Sequence, residues 1–296
     1  MNQLIRLGVL FLACSSVADA EQGRPRADQI IDRYLALPFP DEDRLGESRQ
    51  ARLKVMADLA EIPVDAVPAI ERRLPTVKSP GQRAELTEVL ARITTRESAA
   101  VLVKLLEDPD RHVRNVAISG LRHMARRTDR VGPDRRVRED GIVPRVPGLL
   151  PYLLQAAKDD DESNRGTALY ALADTRERAA VAALRARLHD TSDDVRLITA
   201  CLLTEFQDAS GLPEMRRALE RLRKADRRDV RASFAVDRLL PSFERITGKS
   251  FGPIPMNPML FSNSEGAKRA EQGREPLLDI WAAWWTWEPP AATTAP

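Results

Sequence analysis

The sequence predicts an all-α fold, a right-handed α-solenoid of about five to six helical hairpins with a cap at each end. Two observations predict it. The helix formers Ala, Leu, Arg and Glu dominate the 296 residues, and only 5% of the residues are aromatic, a composition that favours helices over strands. An arginine-marked pattern also recurs along the chain, and self-similarity of this kind is typical of stacked repeats.

The first element, positions 1–20, is predicted to be a signal peptide. An apolar stretch from Leu7 to Ala13 precedes Ala18-Asp19-Ala20, the small-x-small pattern that a signal peptidase cleaves, so the mature chain would begin at Glu21. An alternative stays open, because Phe11-Leu12-Ala13-Cys14 is similar to a bacterial lipobox, whose cysteine would carry a lipid. No stretch approaches the ~18 apolar residues of a transmembrane span. We expect an exported protein, periplasmic or extracellular, or alternatively a lipoprotein attached to the envelope through Cys14.

Positions 21–43 are expected to hold an N-terminal capping helix and a linker. The helical pattern of Ala27–Leu37 ends at Pro38-Phe39-Pro40. Terminal repeats need such a cover because the open end of a stack exposes its core.

A repeat organises positions 44–248. Arg52, Arg83 and Arg114 are spaced by 31 residues, and Arg165 follows after 51, a distance that holds one repeat and a 20-residue insertion. Arg196 stands 31 residues further on. A leucine lies seven residues after each of these arginines: Leu59, Leu90, Leu121, Leu172 and Leu203. Positions separated by whole helical turns share one face, so the leucines predict a common core.

Each repeat therefore consists of a first helix, a tight turn and a second helix that begins just before the marker arginine. The predicted first helices include Val67–Leu74, Ala99–Leu106, Leu149–Ala157 and Ala179–Leu188. The turns contain aspartates suited to cap the following helix.

The pattern resembles the HEAT-repeat family. The segment Thr247-Gly248-Lys249-Ser250-Phe251-Gly252, followed by the tryptophan-rich stretch, is similar to the C-terminal end of exported bacterial HEAT proteins. The segment Leu105–Arg114 with Leu121 matches that family's turn and second helix, and Leu188–Arg196 with Leu203 repeats it. The resemblance implies that turn aspartates and helix-start arginines form a ladder of contacts between successive repeats. The residues concerned are Asp108, Arg114, Asp159, Arg165, Asp190 and Arg196. The last repeat departs from the pattern. Arg238 replaces the leucine that stands seven residues after the other marker arginines, and Pro241 is expected to interrupt the helix.

The irregular parts are an insertion and the C-terminal region. Positions 126–145 are rich in arginine and predict a solvated loop; a contact with an acidic partner is the alternative. Positions 249–274 predict an irregular segment, 275–288 a Trp-rich helix and 289–296 a disordered tail. Trp281, Trp284 and Trp285 share one helix face and predict a cap on the last repeat, with a platform for a glycan, peptide or membrane as the alternative.

No pattern for catalysis, a cofactor or a metal ion emerges. Thr247-Gly248-Lys249-Ser250 lacks the first glycine and the strand of a phosphate-binding loop. His112 and His123 are eleven residues apart on one helix, ~16 Å along its axis, too far to share one ion. We therefore expect a protein that is not an enzyme and needs no cofactor.

The remaining candidate is a surface on the second helices, the second-helix strip. Its predicted partner-binding members are Glu88, Arg92, Ser119, His123, Tyr170, Asp174 and Glu205, and Cys201 is expected to face outward beside them. This mixture of charges suits a protein partner better than nucleic acid.

The sequence thus predicts an exported, non-catalytic protein-binding scaffold. The alternatives are an enzyme helper resembling HEAT-type bilin lyases and, less favoured, a DNA-binding solenoid that uses the arginines between Arg216 and Arg228.

Overall fold

A computed structural model describes residues 26–37, 47–125, 129–131, 137–142, 146, 148–226, 229–254 and 264–287. The predicted signal peptide, Cys14 and the tail after Trp287 lie outside these residues. The chain divides into two compact units, Met1–Met124 and Ala125–Pro296, called unit 1 and unit 2 below.

Unit 1 contains six helices in its described part. They are α1 (Arg26–Leu35), α2 (Glu47–Ala60), α3 (Pro63–Arg73), α4 (Pro80–Ile93), α5 (Arg96–Lys104) and α6 (Arg111–Ala125), whose last residue already belongs to unit 2. Helix α1 packs against α2 and α3, α2 packs against α4, and α3 packs against α5. Successive first helices and successive second helices therefore stack in two layers.

Unit 2 repeats this arrangement. Its helices are α7 (Leu150–Ala156), α8 (Glu162–Asp174), α9 (Arg178–Arg187), α10 (Asp193–Leu203), α11 (Leu212–Leu222), α12 (Val230–Thr247) and α13 (Ser264–Trp287). The second helices α8, α10 and α12 pack in sequence, α7 contacts α9, and α13 lies against α11. The fold is thus the predicted all-α solenoid architecture of HEAT-like hairpins.

Short polar side chains cap the start of several of these helices. The Ser79 hydroxyl accepts a hydrogen bond from the Gln82 amide at the start of α4, and Thr95 and Ser98 form a reciprocal capping box at the start of α5. Asp161 and Ser192 cap α8 and α10 in the same way. Turn chemistry in the sequence therefore sets where the second helices begin.

The leucine column forms the interior of both units. Leu59, Leu90 and Leu121 in unit 1 and Leu172 and Leu203 in unit 2 are all fully buried. Each leucine lies where the second helix faces its hairpin partner and its neighbours in the stack, so one spacing supplies the core of every repeat.

The structure corrects two expectations about secondary structure. Helix α12 continues through Pro241 to Thr247, because Leu239, Leu240 and Phe243 on either side of the proline are buried and hold the helix in place. The insertion contains an antiparallel pair of strands, β1 (Asp129–Val131) and β2 (Val137–Ile142), where a loop is expected. β-branched residues on both sides of Gly132-Pro133 favour such a hairpin.

The C-terminal helix is also longer than expected. Helix α13 begins at Ser264, well before Glu275, within the stretch expected to be irregular. It includes Gly273 and Pro276, which lower intrinsic helix propensity. Packing of its C-terminal half on the preceding helices compensates for this composition.

Gly211 allows the start of α11 to approach α10 closely, and Gly211→Ala is expected to destabilise unit 2 by about 1–3 kcal/mol. A Cβ at this position would lie 2.6 Å from the Ala200 Cα and 2.8 Å from its carbonyl oxygen, so backbone would have to move. The free energy of unfolding in urea, followed by circular dichroism, measures the effect.

Gly166→Ala in α8 is the matched control. Its Cβ would meet only the Ile198 Cδ1, at 3.2 Å, and helix propensity would gain about 1 kcal/mol. Equal losses for the two variants would contradict the packing argument.

Candidate interaction surface

Near the start of the second helices α4, α6, α8 and α10, a guanidinium donates to carbonyls of the preceding turn, and in α4 and α8 it also reaches an aspartate of the next turn. In unit 2, Arg165 donates from Nη1 to the carbonyls of Asp159 and Asp160, at 3.0 and 3.1 Å. Its Nε and Nη2 donate to the two carboxylate oxygens of Asp190 in the next turn, at 2.9 and 2.8 Å. The side chains of Arg165 and Asp190 are 12% and 3% exposed, so this bidentate pair is largely shielded from solvent.

The same geometry recurs in unit 1. Arg83 donates to the carbonyls of Val77 and Lys78 and forms a bidentate pair with Asp108, both bonds at 3.0 Å. Arg114 likewise bonds to the carbonyls of Asp108 and Pro109. Arg83 lies outside the predicted ladder because Val77 occupies the position where later repeats have aspartate. Its place in the 31-residue series is the signal that could have identified it.

The charges of this ladder shift two pKa values. Burial raises the pKa of Asp190, but hydrogen bonds from Arg165 and the Ser192 amide outweigh it, and the pKa lies below its usual value. The Asp190 hydrogen bond is the main reason why the pKa of Arg165 is raised. Both groups are therefore charged in the folded protein at neutral pH.

The second-helix strip in unit 1 lies on α4 and α6. Glu88 and Arg92 form an exposed i, i+4 ion pair with a 2.7 Å separation of Oε1 and Nη2, while Ser119 and His123 are exposed on α6. A Cβ at Gly120 would lie 2.7 Å from the Ala91 Cβ, so α4 and α6 are direct neighbours. The four predicted residues consequently share one region of unit 1.

In unit 2 the strip crosses α8 and the end of α10. Tyr170 and Asp174 are half-buried on α8. Glu205 pairs with Arg176 at 3.0 Å, and the Arg176 guanidinium lies 6.0 Å from the centre of the Phe206 ring. Tyr170 and Asp174 lie on α8, which packs against α10, and Glu205 follows the end of α10, so this part of the strip combines charged groups with the rings of Tyr170 and Phe206.

Cys201 does not face outward. It is buried among the residues that join α10 to α11 and α12. Burial raises the pKa of its thiol to about 11, although a hydrogen bond with Ser242 and the charges of Arg238 and Arg245 act in the opposite direction. The thiol is therefore protonated at neutral pH and is a poor nucleophile.

A cleft of about 600 Å³ opens in unit 2 between the end of α9, the turn that follows it and the first turns of α11. We call it the arginine cleft. The basic and acidic side chains in its lining are those of Arg185, His189, Asp190, Arg196, Glu214 and Arg217. The sequence alone does not reveal this cleft, because its lining residues come from α9, the turn after it, α10 and α11.

The aromatic residues of α13 lie against the last hairpin. Trp281 stacks on Phe243 of α12 with ring centres 4.9 Å apart, and the edge of Phe251 meets Trp281 at 4.8 Å. Trp285 also contacts Phe243, whereas Trp284 is half-buried. The tryptophans therefore contribute to the core of unit 2, beside Leu239 and Met215.

A buried arginine also attaches α13 to α12. Arg274 donates to the Ser233 hydroxyl at 3.1 Å and to the Asp237 carboxylate. Burial lowers the pKa of this guanidinium.

No group of three or more His, Cys, Asp or Glu side chains in the described part of the chain could hold a metal ion. None of the helices described by the structure has the length and apolar character needed to cross a membrane.

Comparison with known proteins identifies the repeat. The HEAT-repeat family model matches residues 150–236, so this part of the chain is similar to HEAT repeats. No curated protein matches the sequence.

Solved structures with a similar arrangement include E. coli YibA, which is 14% identical with a TM-score of 0.44, over 86% of this chain and 83% of YibA. A designed armadillo repeat protein in complex with a (KR)4 peptide is 17% identical with a TM-score of 0.40, over 74% of this chain and all of the designed one. Human deoxyhypusine hydroxylase in complex with glycerol is 16% identical with a TM-score of 0.26, over 86% of this chain and 97% of the enzyme.

Proposed function

We propose that this chain is a non-catalytic, exported scaffold that binds another protein through its second-helix strip. The observation that carries the proposal is the strip in unit 2, where Tyr170 lies on α8 and the ion-paired Arg176 and Glu205 follow the ends of α8 and α10, two helices that pack together. Tyrosine and arginine are enriched at the energetic centres of protein interfaces. A fixed backbone also lowers the entropy lost on binding.

The charge pattern favours a protein over DNA as the partner. Arg217 and Arg221 lie beside the carboxylate of Glu214, and Arg223 bonds to Asp279 and approaches Glu220. Non-specific DNA binding needs a row of phosphate contacts from uncompensated cations. The arginines of this region are interrupted by acids instead.

Export rests on positions 1–20, and the mature N-terminus tests it directly. Mass spectrometry of the protein recovered from the envelope and the medium should find a chain that begins at Glu21. A lipid-modified Cys14 would assign the protein to the envelope as a lipoprotein, whereas an intact Met1 in the cytoplasm would contradict export.

Cross-linking in the native envelope tests partner binding. The double variant Tyr170→Ala, Glu205→Lys should reduce the yield of the specific cross-linked product by at least about tenfold, because centres of interfaces contribute about 2 kcal/mol or more. Arg178→Glu, at an exposed position of the first helix α9, is the control and should leave the yield unchanged. Circular dichroism verifies that both variants fold. Absence of any product above background would overturn the proposal.

A further inference from the structure

We propose that the arginine cleft binds an acidic peptide segment of a protein partner, with Arg185 and Arg217 as the groups that contact its carboxylates. The inference rests on the proposed function in that the ligand belongs to a protein. It concerns a different surface from the second-helix strip and can be tested without the strip.

The carboxylates and the guanidinium groups of the cleft differ in their exposure to solvent. The carboxylates of Asp190 and Glu214 are each only 3% exposed. The side chains of Arg185 and Arg217 are 51% and 66% exposed. Arg185 is paired through its Nε and Nη2 with Asp208, which is 6% exposed, and Arg217 contacts Glu214. An approaching ligand therefore meets guanidinium groups, while the acids that partly balance them lie beneath.

Arginines outnumber carboxylates around Glu214. Its Oε2 lies 3.6 Å from the Nε of Arg196 and 3.4 Å from the Nη1 of Arg217, and its Oε1 accepts a hydrogen bond from Arg221 at 3.2 Å. One buried carboxylate thus holds three guanidinium groups. Asp193 offsets part of the surplus through its contacts with Arg196 and Arg221, and Arg217 keeps its excess charge.

The arginines around Glu214 differ in how many of their N–H donors are already used. Arg196 already donates to the carbonyls of Asp190 and Thr191, and Asp190 is occupied by Arg165 from the preceding repeat. The Oε2 of Glu214 is buried and has no hydrogen-bond partner in the described part of the chain. Its contact with Arg217 is therefore an ion contact without a hydrogen bond, and the Arg217 donors remain available to a ligand.

These features select the chemistry of the ligand. A guanidinium binds a carboxylate through two parallel hydrogen bonds, and it retains its charge at all physiological pH values. The volume of about 600 Å³ accommodates a few residues of an extended peptide. A segment with neighbouring Asp or Glu side chains satisfies both arginines, whereas a nucleic acid would need a longer uninterrupted basic surface.

Fluorescence anisotropy with a labelled Glu-Ser repeat peptide tests the proposal at about 50 mM salt, where screening is weak. The wild-type chain should bind this peptide and fail to bind the same peptide with Gln in place of Glu. Arg217→Glu should weaken the dissociation constant by at least about tenfold, a change of about 1.4 kcal/mol. Arg217→Gln should weaken binding as well. Because it removes the charge without reversing it, it shows that the loss does not come from repulsion by an introduced carboxylate.

Arg216→Glu is the matched control. Arg216 directly precedes Arg217 on α11, is exposed and does not line the cleft. Its reversal changes the net charge of the protein by the same amount. It should change the dissociation constant by less than about twofold.

Equal losses for Arg216→Glu and Arg217→Glu would show binding to diffuse charge and would overturn the proposal. Absence of wild-type binding, or equal binding of the Gln peptide, would overturn it too. A single-stranded DNA probe that binds more tightly than the peptide would assign the cleft to nucleic acid instead. If the wild-type chain fails to bind the peptide but still forms the envelope cross-link, only the cleft proposal is overturned. If it binds the peptide but forms no cross-link, only the proposal for the second-helix strip is overturned.

Discussion

Replacing Asp190 by alanine is expected to destabilise unit 2 by about 3–5 kcal/mol, because it leaves the Arg165 guanidinium shielded from water without its partner. The substitution also removes the acceptor of the Ser192 amide. Urea unfolding followed by circular dichroism measures the loss.

Glu88→Ala is the control for this prediction. It removes an ion pair whose two side chains are each about half exposed, and such pairs contribute about 0–1 kcal/mol. Similar effects of the two variants would mean that the ladder is no stronger than an ordinary surface pair.

The same pair predicts how acid affects stability. The pKa of Asp190 is lower in the folded protein than in the unfolded chain, so its contribution is complete above the unfolded value of about 3.9 and is lost as the pH falls through the folded value. The wild-type chain should therefore lose stability below about pH 4 more steeply than Asp190→Ala. Parallel pH profiles would contradict the assignment.

Replacing Trp281 by alanine is expected to destabilise the C-terminal part of unit 2 by about 3–5 kcal/mol, the range for large aromatic truncations in a core. Trp281 is 1% exposed and touches Phe243, Phe251 and Trp284. Its loss opens a cavity between α12 and α13 that neighbouring rings cannot fill.

Intrinsic fluorescence measures this effect, because all four tryptophans of the chain lie between Trp281 and Trp287. The emission should shift to longer wavelength as Trp284 and Trp285 become exposed, and limited proteolysis should cleave α13 from the protein. Ile280→Ala removes a neighbouring side chain that is 41% exposed and should cost less than about 1 kcal/mol. A Trp281→Ala variant with unchanged emission and stability would show that α13 does not cap the core.

Much of the fold is predictable because repeats convert one local pattern into one packing arrangement many times. The leucine spacing identified five residues that are fully buried. Marker arginines and turn aspartates also predicted where second helices begin, since capping acts over three or four residues.

The misjudged elements depend on contacts distant in sequence. Pro241 lies within an unbroken helix because the side chains around it are buried against other helices. Cys201 is buried because α12 covers the face of α10 that a count along one helix leaves open. Arg83 joins the ladder through Asp108 of the next turn, although its own turn carries Val77.

The sequence alone determined the helical class, the length of the repeat, the residues of the shared core and the starts of the second helices. These properties depend on the side-chain period of one helix and on its caps, which act within a few residues. Only the tertiary structure decided which carboxylate each arginine meets, and that the acids of the arginine cleft lie beneath its guanidinium groups. The physical reason is that charge pairing and exposure depend on distances between side chains from separate helices, and stacking sets those distances.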